Sequence, residues 1–179
     1  MRWLALVALL GGCDIIFDLD RVPEPPGPLP IVGRWFSATA GAGHTCALDL
    51  DGRLFCWGLN EQGQVGREST RYVLEDVGQV GDKLWNHIST SYDHTCGIQA
   101  DESLWCWGSN TFGELGDYKP PAIAPRQVAG IWRDVSAGLD HTCGIRSDDH
   151  SLWCWGRGDS GQIGDGTTSL LIASTRIGM

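Results

Sequence analysis

The stretch HTCALDLDGRLFCWG, residues 44–58, places two cysteines ten residues apart on either side of an Asp-Gly pair. Near-copies follow at residues 94–108 and 141–156, and the third copy carries one extra residue between its cysteines. Asp-Gly flanked by alternating apolar residues is a strong signal for a tight hairpin turn. The chain therefore contains the same predicted β-hairpin three times, which predicts a repeated β structure.

A three-residue loop at 50–52 sets the register of the first hairpin. It places Cys46 opposite Cys56 and Leu48 opposite Leu54, all on one face, because side chains alternate along a strand. Residues directly opposed at a non-hydrogen-bonded site have Cα atoms about 4.5 Å apart, which suits a disulfide. The other face carries Thr45, Ala47, Phe55 and Trp57.

We expect each cysteine pair to form a disulfide that joins the two arms of its hairpin. In the third hairpin a four-residue loop at 147–150 absorbs the extra residue, so the two sulfurs still face each other. Each bridge would contribute roughly 2.5–3 kcal/mol by the chain-entropy model. The expected bridges are Cys46–Cys56, Cys96–Cys106 and Cys143–Cys154.

The repetition extends beyond the hairpin. A tryptophan precedes each repeat histidine by nine residues, and a Gly-x-x-Gly motif starts at positions 63, 113 and 161. These glycines predict tight turns with positive φ. Asn60 and Asn110, matched by Gly158, are expected at a left-handed position for the same reason. The three repeats are placed at 31–79, 80–127 and 128–179.

Residues 1–12 have the pattern of a secretory signal: one arginine, the apolar run Trp3–Leu10 and two glycines. The run is too short to span a bilayer, which takes roughly 20 residues. Leu-Gly-Gly-Cys, ending at Cys13, resembles the bacterial lipobox, in which the chain is cut before a cysteine that carries lipid. We expect a lipoprotein of the bacterial cell envelope, attached to the membrane through Cys13, with a Pro-rich tether over 13–30. An ordinary secreted protein and a cytosolic protein are the alternatives.

The cysteine count indicates the compartment of the protein, and the net charge argues against one class of partner. Assigning one of the seven cysteines to lipid leaves an even set of three pairs, which favours disulfides in an oxidising compartment. The formal net charge is −9 at pH 7, with 13 Lys+Arg against 22 Asp+Glu. Because binding to phosphates needs a clustered basic surface, this balance argues against a nucleic-acid partner.

Other chemistries of the same residues are less well supported. His44, Cys46 and Cys56 could ligate a metal, but zinc takes four ligands and the repeat has no fourth candidate. The sequence has no C-x-x-C redox motif, and the acidic turn lacks the closing glutamate of a calcium loop. A histidine that recurs in every repeat indicates a hydrogen-bonded structural role. We expect no catalytic residue, no metal and no cofactor, and hence no enzyme.

The pattern A-G-x-x-H-T-C, followed by C-W-G-x-N-x-x-G-Q-x-G, resembles the regulator of chromosome condensation repeat family over residues 31–179. Repeat two departs from it at Ser91, where glycine is usual, and at Glu114, where glutamine is usual, which puts its turn in doubt. The cysteine-bearing form is similar to members in exported bacterial proteins. The matching residues of repeat one are Ala40, Gly41, His44, Trp57, Gly58, Asn60 and Gly63–Gly66.

The resemblance implies a β-propeller, in which four-stranded blades, usually seven, surround a channel. Three repeats would supply three blades, so the expected fold is all-β, a partial β-propeller of three four-stranded blades. Such a chain is a truncated propeller, an open arc, or a subunit that is completed by another copy or another protein. A homo-oligomer that completes the propeller is therefore one possibility.

For function, the resemblance implies guanine-nucleotide exchange on a small GTPase or a binding platform for other proteins. Exchange fits poorly with an acidic, exported chain of few blades. We expect a non-enzymatic interaction module with a protein or glycan partner; a self-assembling structural envelope protein and a decayed gene fragment are alternatives. The partner-binding candidates are Tyr72, Tyr92 and Tyr118, which lie where the repeats differ; the alternative is that they are ordinary loop residues.

Overall fold

The computed structural model describes residues 34–178, which contain strands and turns but no helix. These residues belong to a compact unit over 33–179; the unit over 1–32 lies outside the described residues. Each strand pairs antiparallel with the next strand in the chain. The strands are β1 (Trp35–Ala40), β2 (His44–Asp49), β3 (Arg53–Leu59), β4 (Val73–Thr90), β5 (His94–Gln99), β6 (Ser103–Gly108), β7 (Ala122–Ala137), β8 (His141–Arg146), β9 (Leu152–Gly156) and β10 (Leu171–Ile177).

Two long strands, β4 and β7, each serve two blades. Leu84 of β4 still pairs with β3, whereas the next residue, Trp85, pairs with β5. In β7 the same change of partner falls between Ile131 and Trp132. The strands therefore form three four-stranded blades, which confirms the predicted partial propeller. Blade 1 covers 35–84, blade 2 covers 85–131 and blade 3 covers 132–177.

The hairpin register predicted from the sequence is confirmed. Cys46 pairs with Cys56 and Leu48 with Leu54, and the third hairpin accommodates its extra residue in the turn between β8 and β9. The structure has all three disulfides, with Cα–Cα distances of 4.1–4.2 Å. The last turn residue has positive φ in each hairpin, namely Gly52, Glu102 and His150.

The two faces of each hairpin pack against different blades. In blade 2, Thr95 and Trp107 face blade 1, where both side chains donate to the carbonyl oxygen of Gln64. On the opposite face, Cys96 Sγ lies 4.0 Å from Thr142 Oγ1 of blade 3. The apolar core is therefore built between blades, and its largest fully buried side chains are Trp107, Trp132 and Trp155.

The predicted signal peptide at 1–12, the tether at 13–30 and the lipidation site Cys13 lie outside the described residues. Within residues 34–178, no segment forms a helix of the length and apolarity that crossing a bilayer requires.

Candidate partner-binding face and blade junctions

Strand direction sorts the connections of the propeller onto two faces. Because neighbouring strands are antiparallel, the connections from first to second and from third to fourth strand lie at the same end of each blade. We call this end the loop face, and the end with the hairpin turns and the blade-to-blade changes the turn face. The loop face comprises residues 41–43, 60–72, 91–93, 109–121, 138–140 and 157–170.

The three candidate tyrosines all lie on the loop face. Tyr72 ends the long loop of blade 1, Tyr92 occupies the short β4–β5 loop, and Tyr118 lies in the long loop of blade 2. Their exposed fractions are 61%, 54% and 81%. The topology therefore gathers on one face three residues that the sequence shows only as scattered loop positions.

The long loop of blade 1 is fixed by the side chain of Asn60. Its Nδ2 donates to the carbonyl oxygens of Ser69 and Arg71 at 2.9 and 3.1 Å, and its Oδ1 accepts from the Val65 N–H. The Asn60 N–H donates to the Tyr72 carbonyl oxygen at 2.7 Å. Asn60 therefore holds the backbone of Tyr72 at the end of a hydrogen-bonded loop.

Asn110 does the same for Tyr118. Its Nδ2 donates to the carbonyl oxygens of Asp117 and Lys119, the two residues that flank Tyr118, and its Oδ1 accepts from the Leu115 N–H. The exposed aromatic ring is thus carried on a braced backbone.

The predicted left-handed conformation at these positions is wrong. Neither Asn60 nor Asn110 has positive φ, and their matched residue Gly158 does not either. Asparagine is used here for its amide group, which can satisfy backbone donors and acceptors across the loop. At Gly158 a Cβ would collide with the Ser169 carbonyl oxygen, so glycine is required for close approach rather than for φ. The Gly-x-x-Gly glycines do have positive φ, as predicted.

A repeated hydrogen-bond arrangement, here called the junction network, joins consecutive blades. At the first junction His44 Nε2 lies 2.7 Å from Thr95 Oγ1, and the Thr95 hydroxyl donates to the Gln64 carbonyl oxygen at 2.8 Å. The same carbonyl oxygen accepts from Trp107 Nε1–H at 2.9 Å. The second junction repeats these contacts with His94, Thr142, Glu114 and Trp155 at 2.8–2.9 Å.

The junction network places a proton on Nε2 of each internal histidine, and burial favours the neutral ring. Because the threonine hydroxyl gives its proton to a carbonyl, it accepts from Nε2–H, and the ring's Nδ1 is left as an acceptor. Burial lowers the pKa of His44 to about 4 and that of His94 to about 3. The predicted structural role is thus confirmed for these two histidines.

The departures in repeat two leave its turn intact. The Ser91 hydroxyl lies 2.7 Å from His94 Nδ1 and gives it a partner, whereas His44 Nδ1 has none within residues 34–178. Glu114 contributes its backbone carbonyl to the junction as Gln64 does. Its carboxylate accepts from the Ser109 hydroxyl and from the Phe112 N–H at 2.6 and 2.7 Å.

A concave region lies along the first strand of each blade. A cavity of about 550 Å³ is lined by β1 and by the second halves of β4 and β7. His87 Nε2 lies 3.0 Å from the Val135 carbonyl oxygen and 3.5 Å from Asp134 Oδ1 there. Within residues 34–178 no group of three or more His, Cys, Asp or Glu side chains is placed to hold a metal ion.

These observations define residues 34–178 as a three-bladed arc of a β-propeller with repeated junctions. Two profiles of the regulator of chromosome condensation (RCC1) repeat match the sequence, one at 37–64, 85–114 and 132–162, the other at 51–98 and 101–145. The chain belongs to this repeat family.

Solved structures show the same fold. The yeast RCC1 protein Prp20, in its complex with Kap60, aligns with a TM-score of 0.74 and 20% identity, over 82% of this chain and 37% of that one. Human WBSCR16 aligns with a TM-score of 0.72 and 18% identity, over 82% and 38% of the two chains. The ectodomain of the Physcomitrella patens receptor kinase CR4 gives 0.52 and 24%, over 76% and 34%. The chain therefore spans little more than a third of these structures. No curated protein sequence matches it significantly.

Proposed function

We propose that this chain is a non-enzymatic interaction module, attached to the bacterial cell envelope by a lipid on Cys13, and that its loop face binds a partner protein. One observation carries the proposal: Tyr72, Tyr92 and Tyr118 are exposed on the same face. Tyrosine offers a large amphipathic contact area at low cost in side-chain entropy and is enriched at binding hot spots.

The braced loops support a preformed binding surface. Because Asn60 and Asn110 fix the backbone next to Tyr72 and Tyr118, little ordering of the backbone would accompany binding. Lower ordering cost leaves more of the contact energy as affinity.

A protein is favoured as partner over a glycan by the structural neighbours. The yeast protein Prp20 is seen bound to Kap60, and its binding to Gsp1p and histones has been studied. The non-enzymatic character is supported by the engagement of the repeated side chains: His44 and His94 serve the junctions, and six cysteines are bridged. The disulfides also support an oxidising, exported location.

The binding face is tested by capture from envelope extract. The full chain, immobilised, should retain a partner that the variant Tyr72→Ala/Tyr92→Ala/Tyr118→Ala loses. The matched control is Leu50→Ala/Leu84→Ala, two side chains on the turn face that are 52% and 50% exposed. Both variants should melt within a few degrees of the parent, because exposed side chains contribute little to stability. Equal capture by the tyrosine variant and the parent would remove the proposed face.

The anchor is tested separately with Cys13→Ser. The parent chain should incorporate radiolabelled palmitate and sediment with membranes, and the variant should do neither. Labelling of the variant, or a parent that stays unlabelled, would contradict the lipid attachment without affecting the proposed binding face.

A further inference from the structure

The two end blades each expose one half of a junction network. At the start of the arc, Thr45 Oγ1 and Trp57 Nε1 correspond to the donors of the internal junctions, and neither has a hydrogen-bond partner within residues 34–178. At the other end, His141 Nε2 and the Gln162 carbonyl oxygen are unpartnered in the same part of the chain. Each half therefore lacks the groups that the other half offers.

Burial of equivalent side chains shows the same division. On the face toward the next blade, Leu54 and Leu104 are 0% exposed, whereas Leu152 of blade 3 is 42% exposed. On the opposite face, Trp85 is 3% exposed and Trp35 of blade 1 is 40% exposed. Both ends thus leave in solvent the apolar surface that internal junctions remove from water.

We propose that a second copy of this chain docks head to tail, with blade 3 of one copy against blade 1 of the other. In that contact His141 Nε2–H donates to Thr45, and Thr45 and Trp57 donate to the Gln162 carbonyl oxygen. The occupant is a second copy because the two internal junctions show how these same groups fit, and one chain carries both halves. Such an interface is heterologous, since two different surfaces meet.

Curvature limits the assembly to two copies. The repeat-family resemblance implies a closed propeller of seven blades, and residues 34–178 form three, so two copies supply six of them. A third copy would not fit in the remaining arc. The expected species is a dimer, and head-to-tail growth into a filament is not expected.

Native mass spectrometry of the full chain, released from detergent at increasing protein concentration, tests the contact. The parent should shift from monomer to dimer. Thr45→Glu on one face and Leu152→Glu on the other should each weaken dimerisation about tenfold or more, because each buries an unpaired charge. The matched control is Leu50→Glu, which lies on the turn face and should dimerise as the parent does.

Mixing distinguishes head-to-tail contact from a symmetric one. Thr45→Glu keeps its blade 3 face and Leu152→Glu keeps its blade 1 face, so an equal mixture should regain dimers that neither variant forms alone. Thr45→Val, which removes one hydroxyl without adding charge, should weaken the dimer less, and a thermal melt of each variant confirms folding.

A parent chain that stays monomeric at every concentration would overturn the proposal. This holds whether solvent or residues 1–33 of the same chain cover the open faces of blades 1 and 3. Absence of recovery in the mixture would overturn it as well. The tyrosines that are proposed to bind a partner lie on a different surface, the loop face, and their binding is measured in a separate experiment.

Discussion

Blade 2 and the two end blades contain nearly the same hairpin, yet they differ in how completely it is buried. Blade 2 has a neighbour on both faces, and its disulfide, Cys96–Cys106, is 0% exposed. Blade 3 has a neighbour on one face, and Cys143 of its disulfide is partly exposed. A hairpin in this chain is therefore buried by the neighbouring blade and not by its own strands, as expected for repeat architectures.

Blade 1 differs from blade 2 at a second point, within its own sheet. Gly97 leaves room for the ring of Trp85, since a Cβ there would lie 2.8 Å from the ring. The equivalent residue of blade 1 is Ala47, and Trp35 packs edge-on against Phe55 at 5.4 Å between ring centroids. Blade 1 therefore has one methyl group more than blade 2 at this position, and its tryptophan packs differently.

The largest expected effect on the free energy of unfolding comes from removing the tryptophan of a blade junction. Trp107→Ala should lower the free energy of unfolding by about 3–5 kcal/mol, because it opens a cavity and removes a buried hydrogen bond. The equivalent Trp57→Ala, at a half-buried end position, should cost about 1 kcal/mol in the monomer. Urea unfolding at a concentration where the chain is monomeric measures both. Equal losses would show that the neighbouring blade contributes nothing to this site.

Stability should fall between pH 6.5 and pH 4, and the internal histidines should cause it. The folded-state pKa values of His44 and His94 lie below the ordinary value, so the unfolded chain binds more protons in this range and protonation favours unfolding. For His44 alone the loss is about 3 kcal/mol by pH 4. Hydrogen bonds from Arg53 lower the pKa of Asp49, so its contribution is lost only at still lower pH.

The pH dependence is assigned with two variants. Urea unfolding from pH 7 to pH 4 should show a smaller slope for His94→Gln than for the parent. His141→Gln should change the slope less, because burial lowers the pKa of His141 in a more open environment. A larger change of slope in His141→Gln than in His94→Gln would show that the end histidine, and not the internal one, controls the pH dependence.

The junction threonine should show an intermediate effect. Thr95→Val should destabilise the monomer by about 1–3 kcal/mol, because His44 Nε2–H is left buried without an acceptor. Thr45→Val is the same change at the open end and should cost less than about 0.5 kcal/mol. Thermal melts of the two variants at low concentration decide the point, and similar melting temperatures would count against the junction network.

The smallest expected effect is on the order of disulfide reduction. Under mild reductant without denaturant, Cys143–Cys154 should be reduced before the two fully buried bridges, because reduction requires access to sulfur. Alkylation at successive times, followed by peptide mass analysis, identifies the first thiols to appear. Simultaneous release of all six would indicate global unfolding instead.

The sequence was sufficient for the hairpins, for the Gly-x-x-Gly turns and for the number of blades. The opposed cysteines and leucines fix a single hairpin register, since a slip by one residue would turn Cys46 and Cys56 to opposite faces. The repeated glycine motifs mark turns for a steric reason that acts within a few residues. These features depend on neighbours in the chain, and the sequence displays them directly.

The junctions and the binding face could not be predicted in the same way. The bond between His44 and Thr95 joins residues 51 positions apart, and nothing local indicates that the histidine of one repeat contacts the threonine of the next. The left-handed conformation predicted for Asn60 is wrong because its amide binds the distant carbonyl oxygens of Ser69 and Arg71, a use that the composition of a turn does not reveal. The common face of the three tyrosines follows only from strand direction.

Hydrogen exchange on the dilute, monomeric chain tests the dependence of each hairpin on its neighbours most directly. Backbone amides of 94–108 should exchange most slowly, and those of the hairpins at 44–58 and 141–156 should exchange faster. Equal protection of the three hairpins, or slowest exchange in an end blade, would show that a hairpin does not depend on its neighbouring blades.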